Sequence, residues 1–170
     1  MRRAVLLTGG LGAGKTAVAK EVIAIASAIG LSAAAIDLDW LGWTTPTTGG
    51  VDGLIARNLS AIAVNYWASG IDHLVLARGV VNPDGIEMVA AALPEWKLEV
   101  VRLDATTATM ERRIRARDAG AELAEHLAQL DEIAQRVREA TPDVHTVVND
   151  QRELPEVARE VMRAAGWIAD

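Results

Sequence analysis

The sequence predicts an α/β fold: a five-stranded parallel sheet covered by helices on both faces. Three observations predict it. Short apolar runs alternate with stretches of helical periodicity from end to end. The runs are almost continuously apolar, as strands buried on both faces are. A glycine cluster joins the first run directly to the first helical stretch, a connection that parallel sheets use at their carboxyl edge.

The elements follow in order. Ala4 to Thr8 is the first strand, ending in glycines. From Lys15 to Ile29 the residues Val18, Val22, Ile25 and Ile29 recur at helical spacing, and Gly30 stops the helix. Ala33 to Asp37 is the second strand. A turn-rich stretch, Gly42 to Gly50, leads to a helix over Val51 to Ser69 with Leu54, Ile55, Leu59, Ile62 and Tyr66 on one face. His73 to Ala77 is the third strand. Asn82-Pro83-Asp84 reads as an N-cap with proline at the first helical position, opening a helix that ends near Leu93-Pro94. Lys97 to Leu103 is the fourth strand, followed by a helix over Thr107 to Arg117 and a charged helical stretch from Ala121 to Glu139. Val144 to Val148 is the fifth strand, and Pro155 to Ala165 a terminal helix stopped by Gly166.

A chain of 170 residues suits one domain over 1–170, because a single core organises roughly 100–200 residues. Hydrophobic residues make up 51% of it and supply that core. A net charge of −6 argues against non-specific nucleic-acid binding, which depends on neutralising phosphates. There is no cysteine, so disulfides and thiolate metal sites are excluded. The apolar run after Arg2 and Arg3 is too short for a signal peptide, and no stretch is long enough to span a membrane. A cytoplasmic protein with no membrane or nucleic-acid partner is the expectation.

Gly9-Gly10-Leu11-Gly12-Ala13-Gly14-Lys15-Thr16 matches the phosphate-loop pattern G-x-x-x-x-G-K-[ST], between a predicted strand and a predicted helix. Glycines let backbone N–H groups converge on phosphate oxygens, and the helix presents its positive end. Lys15 is expected on the β- and γ-phosphates of ATP and the Thr16 hydroxyl on Mg²⁺. A glycine-rich turn without a ligand would not need this spacing in this place.

Asp37-Leu38-Asp39 follows the second strand, and in an extended segment alternation puts both carboxylates on one side, toward the phosphate loop. Such a pair can serve a magnesium ion and the attacking hydroxyl of an acceptor; turn and N-cap duty is the plainer alternative. The third strand ends in Ala77-Arg78-Gly79 and offers no acid for the metal, and no guanine-reading Asn-Lys-x-Asp occurs. Both absences weaken a motor ATPase or GTPase switch. A nucleotide-binding module without catalysis remains the alternative, and the paired carboxylates argue against it.

The phosphate loop, the Asp-x-Asp in AIDLDWLGW and the arginine pair below together resemble the small-molecule kinase branch of P-loop proteins, which includes gluconate kinase, adenylylsulfate kinase, shikimate kinase and chloramphenicol phosphotransferase. The resemblance implies strand order 2-3-1-4-5, a helical lid at about 118–136, and ATP-dependent transfer of the γ-phosphoryl group to a hydroxyl of a sugar, nucleoside, polyol acid or antibiotic. By the same resemblance Asp39 faces the substrate as base and Asp37 the metal, roles that can be exchanged.

Arg113 and Arg117 lie four apart on one helical face in Glu111-Arg112-Arg113-Ile114-Arg115-Ala116-Arg117-Asp118. A guanidinium stacks on a flat base or forks onto phosphate. The resemblance implies Arg113 against adenine and Arg117 on the transferring phosphate; a solvated charged helix is the competing reading. For the acceptor pocket the candidates are Trp40 and Trp43 as stacking surfaces and Arg57, Asn58 and Arg78 as polar contacts, the arginines pointing to an anionic or oxygen-rich acceptor. His73, His126 and His145 show no ligand spacing and are assigned no role.

Overall fold

Arg3–Thr8 (β1) runs through the middle of the sheet, and alternation along it divides the interior. Val5 and Leu7 point into one buried cluster, Ala4 and Leu6 into the other. The computed structural model describes residues 1–45 and 50–169. Among these, Ala33–Asp37 (β2), His73–Ala77 (β3), Lys97–Asp104 (β4) and His145–Val148 (β5) complete the five-stranded sheet. Its order is β2-β3-β1-β4-β5 and every pairing is parallel, as expected. Consecutive strands that are parallel must be joined by crossovers, and helices cover both faces for that reason.

Lys15–Ala28 (α1), Thr107–Arg117 (α4), Gly120–Ala140 (α5) and Leu154–Ala164 (α6) contribute to the first cluster. Val51–Ala68 (α2) and Asp84–Ala92 (α3) close the second. β3 is buried along its whole length, which is why it reads as an unbroken apolar run. No helix among the described residues is long and apolar enough to cross a membrane.

Two local readings change and a third is extended by one residue at each end. After β2 the chain does not stay extended: Leu38–Gly42 is a 3₁₀ helix, and the Asp37 carboxylate accepts from the Asp39 N–H at 3.3 Å as its N-cap. Asp is a good capping acceptor, so the Asp-x-Asp spacing closes a turn here and does not prolong the strand. The helix α3 begins at Asp84, and the Asn82 side chain accepts from the Gly85 N–H at 3.1 Å. The charged stretch is one helix from Gly120, whose second half buries Leu130, Ala134, Val137 and Ala140. The turn region expected over Gly42 to Gly50 includes residues 46–49, which lie outside the described residues.

β1 is flanked by β3 and β4, so the connections leaving β1 and β3 part to opposite sides. That divergence opens a crevice at the carboxyl ends of these strands, where ligands of parallel sheets sit. The glycine loop and the 3₁₀ helix both emerge there.

Candidate active site

The loop Gly9–Thr16 is held in shape by its neighbours. Gly12 has φ 73° and Gly14 φ 96°, a region that favours glycine; a Cβ on Gly12 would stand 2.5 Å from the Met110 carbonyl oxygen, and one on Gly14 would overlap the Asn149 amide. Asn149 is buried after β5 and donates from Nδ2 to the Ala13 carbonyl at 2.7 Å. Arg113 donates to the carbonyls of Gly12 at 3.2 Å, Ala13 at 3.4 Å and Asn149 at 3.0 Å. Its guanidinium therefore ties the loop to the β5–α6 connection. The N-cap of α1 is Gly14 and no side chain caps it, so the unpaired N–H groups of the first turn are left to a ligand.

Lys15 Nζ donates to the carbonyls of Gly9 at 3.0 Å and Gly10 at 3.1 Å. Burial lowers its pKa, the charges of Asp39 and Asp37 pull it back up, and Arg117 pushes it down. Thr16 Oγ1 donates to Asp37 Oδ2 at 3.2 Å. A hydroxyl and a carboxylate oxygen this close, beside an ammonium and an uncapped helix start, form a donor set that suits polyphosphate and Mg²⁺, which takes oxygen ligands and keeps several waters.

Lys15, Thr16, Asp37, Asp39, Trp40, Trp43 and Arg117 line one cleft of about 430 Å³, together with Leu11, Gly12, Glu122 and His126. The sequence pairs Asp37 with Asp39 through a strand; the fold brings them together through the 3₁₀ turn. Asp39 is exposed, yet the cleft walls exclude enough water to raise its pKa; the Asp37 charge adds to that rise, and Arg78 and Lys15 oppose it. Trp40 and Trp43 stand out at 67% and 73% exposure, with ring centroids 4.6 Å apart and planes tilted by 43°.

The remaining acceptor-pocket candidates do not themselves line the cleft. Arg78 binds Asp52 at 2.6 Å and approaches Asp39 at 3.6 Å, and its Nη1 is sealed from solvent without a partner among the described residues. Asn58 donates to the Leu41 carbonyl at 2.8 Å and so braces the 3₁₀ turn from α2. Arg57 is exposed on α2 and does not line the cleft.

Two groups escape a linear reading. Asn149 carries no motif; only its contact with the loop reveals it. Glu122 and His126 lie four apart on one face of α5, and Asp118, at the end of α4 just before it, brings its carboxylate to within 4.8 Å of both. Asp118 grips Arg117 with both oxygens, at 2.5 and 2.9 Å, and accepts from His126 Nδ1 at 2.7 Å. These two partners, Arg117 foremost, hold its carboxyl well below the usual carboxylate range.

Known structures share this architecture. A sugar kinase from Janibacter sp. HTCC2649 superposes with a TM-score of 0.66 at 17% identity, over 98% of this chain and 95% of that one. A gluconokinase from Sinorhizobium meliloti 1021 gives 0.62 at 20% identity, over 98% and 94%. The APS kinase of Mycobacterium tuberculosis, solved with AMPPNP and APS, gives 0.60 at 20% identity, over 97% and 98%. No family profile matches the sequence. No curated protein matches it either. At these identities the likeness establishes the fold alone, which this chain shares with these kinases.

Proposed function

We propose that this protein is an ATP-dependent phosphotransferase that moves the γ-phosphoryl group to a hydroxyl of a small molecule. The observation that carries the reading is the convergence in one cleft of Lys15, the touching pair Thr16 and Asp37, and a second carboxylate, Asp39, of raised pKa. A passive nucleotide binder needs the loop but not Asp39.

The loop N–H groups and Lys15 bind the β- and γ-phosphates of ATP and stabilise charge on the transferring group. Thr16 and Asp37 would hold Mg²⁺, which when bound would screen the phosphate charge. Asp39 orients the acceptor hydroxyl and takes its proton as the oxygen bonds to the γ-phosphorus; the bond to the bridging oxygen breaks and its electron pair leaves on ADP. A raised pKa makes Asp39 a stronger base than an ordinary aspartate. Arg113, bonded to the loop carbonyls of Gly12 and Ala13, is the side chain this reading sets against adenine, and Arg117 reaches the transferring phosphate after leaving Asp118. The start of α5, within the stretch at about 118–136, serves as the lid, and closure excludes water that would otherwise take the phosphoryl group. Leu130 and Ala134 belong to the core, so the moving part ends before them. The cytoplasm, with its ATP, is the compartment that suits this reaction.

The test is ADP formation with Mg-ATP in the presence and absence of a library of hydroxyl compounds. Acceptor-dependent ADP release that Lys15→Ala abolishes is the expected result; ADP release indifferent to every acceptor in a protein that binds ATP would overturn it.

A further inference from the structure

Arg117 stands between two places that suit an anion. On one side Asp118 grips it with both carboxylate oxygens, at 2.5 and 2.9 Å. On the other, Arg117 shares a second cavity of about 310 Å³ with Gly12, Gly14, Lys15, Thr16 and Lys20, and no carboxylate lines that cavity among the described residues. Burial is the main reason that the Lys15 pKa is low, and the nearby Arg117 charge adds to it. The Asp118 side chain is 4% exposed and the Arg117 side chain 59%, so the acid is fixed and the cation is the member free to move. Asp118 has a second partner, the His126 ring, which donates from Nδ1 at 2.7 Å. The Glu122 carboxylate, within 4.8 Å of the Asp118 carboxylate, adds a weaker pull on Arg117.

We infer that Asp118 is a positioning residue that holds Arg117 off the glycine loop until a γ-phosphate competes for it, with His126 as the partner that lets Asp118 give it up; the inference rests on the nucleotide-binding part of the kinase reading above. A guanidinium fork serves one carboxylate or one phosphate at a time. The loop N–H groups and Lys15 serve the phosphates that ADP retains, so ADP binds with the Asp118–Arg117 pair intact. A triphosphate has to open the pair. A covered carboxylate left without a partner is costly, and His126 keeps Asp118 from that state while Arg117 is away. Once the γ-phosphoryl group has gone, the pair re-forms and withdraws Arg117 from the diphosphate.

The experiment is isothermal titration calorimetry of the full chain with Mg-ADP and with the non-hydrolysable triphosphate Mg-AMPPNP. Asp118→Asn removes the charge that competes for Arg117 and is expected to tighten AMPPNP about fivefold, the upper end for an ion pair with one member largely in water, while ADP keeps its affinity. His126→Asn is expected to act the other way and weaken AMPPNP about two- to fivefold, because Asp118 then has no other partner and holds Arg117 harder. In Arg117→Ala, the further change Asp118→Asn should move neither nucleotide. A merely structural role for Asp118 would shift both nucleotides together and persist without Arg117. AMPPNP affinity unchanged or weakened in Asp118→Asn, equal shifts of the two nucleotides, or an effect that survives Arg117→Ala overturns the inference. Transfer of label from γ-labelled ATP to the hydroxyl-compound library is followed separately and judges the kinase reading. Label transfer with nucleotide binding indifferent to Asp118 sinks the positioning role and keeps the kinase. The expected shifts without transfer to any compound keep the positioning role and sink the kinase, and binding of neither nucleotide sinks both.

Discussion

The glycine loop proposed to hold phosphate and the tryptophan-bearing turn proposed to meet the acceptor are built on different principles. The phosphate loop is cross-linked from behind: Asn149 and Arg113 bond its carbonyls, Met110 crowds Gly12, and Lys15 folds back on Gly9 and Gly10. The acceptor end has two exposed indoles on a 3₁₀ turn, facing a charged helix start whose ion pairs are partly in water. If the proposed roles hold, the part that meets phosphates, the same in every nucleoside triphosphate, is the part tied down by buried contacts, and the part that meets the variable acceptor is made of side chains with few constraints from the core. The difference teaches that buried cross-links gather on one side of the cleft and exposed side chains on the other.

Breaking the comparison starts with the groups assigned to phosphoryl transfer. Lys15→Ala is expected to lower kcat by about 10²–10³-fold or more, as loss of a positioned donor to transition-state charge does, while circular dichroism shows an intact fold. Turnover near that of the unaltered protein would remove the loop from the mechanism.

Asp39→Asn should cost about 10²–10⁴-fold in kcat with ADP affinity retained, because it removes a base and leaves the cradle alone. Asp37→Asn should instead raise the Mg²⁺ needed for half-maximal rate, and added metal should restore part of the activity. A Mg²⁺ titration of both variants decides the matter: equal rescue shows the two roles to be exchanged.

The rigid end can be loosened without touching a reacting group. Asn149→Ala leaves the buried Ala13 carbonyl with only the longer bond from Arg113, an expected loss of about 0.5–1.5 kcal/mol. A lower midpoint in chemical denaturation together with a raised ATP Kd is the expected signature. An unchanged midpoint would mean that the loop holds its shape unaided.

The pH dependence sharpens the electrostatic side. A base must be ionised to act, so activity falls as pH drops through the Asp39 pKa, and the raised pKa puts that acid limb above where an ordinary aspartate would place it. Removing the like charge with Asp37→Asn, assayed at saturating Mg²⁺, should move the limb to lower pH. A limb that stays in place would show that burial alone raises Asp39. The smallest effect is expected at the exposed Arg115–Glu111 pair, 2.7 Å apart within α4: Glu111→Ala should change stability by less than about 0.5 kcal/mol in the same denaturation assay.

Much of the molecule was legible in the chain itself. The strands follow from apolar runs long enough to be buried on both faces, their order from the resemblance, and the glycine loop from the spacing of Gly9 to Thr16. Glycine needs no partner to announce itself, since its requirement is a backbone conformation written into the residue type. Asp37 ends β2, and Lys15 and Thr16 open α1 at the far side of the glycine loop from β1, so placing the strand, the loop and the helix places them.

What only the tertiary structure decided depends on residues distant in sequence meeting in space. Asp39 reaches the cleft because Asp37 caps a 3₁₀ turn, a local competition between side chain and backbone that alternation does not foresee. Arg78 and Arg57 carry the same charge in the sequence, yet Asp52 occupies one and the solvent face of α2 holds the other. Asn149 lies 136 positions from the carbonyl it holds, and His126 matters only because α5 crosses the cleft. A motif reports what a residue must be to make its own backbone or bind a shared ligand. Which charges remain unpaired for an acceptor is a property of pairs, and pairs exist only after the chain has folded.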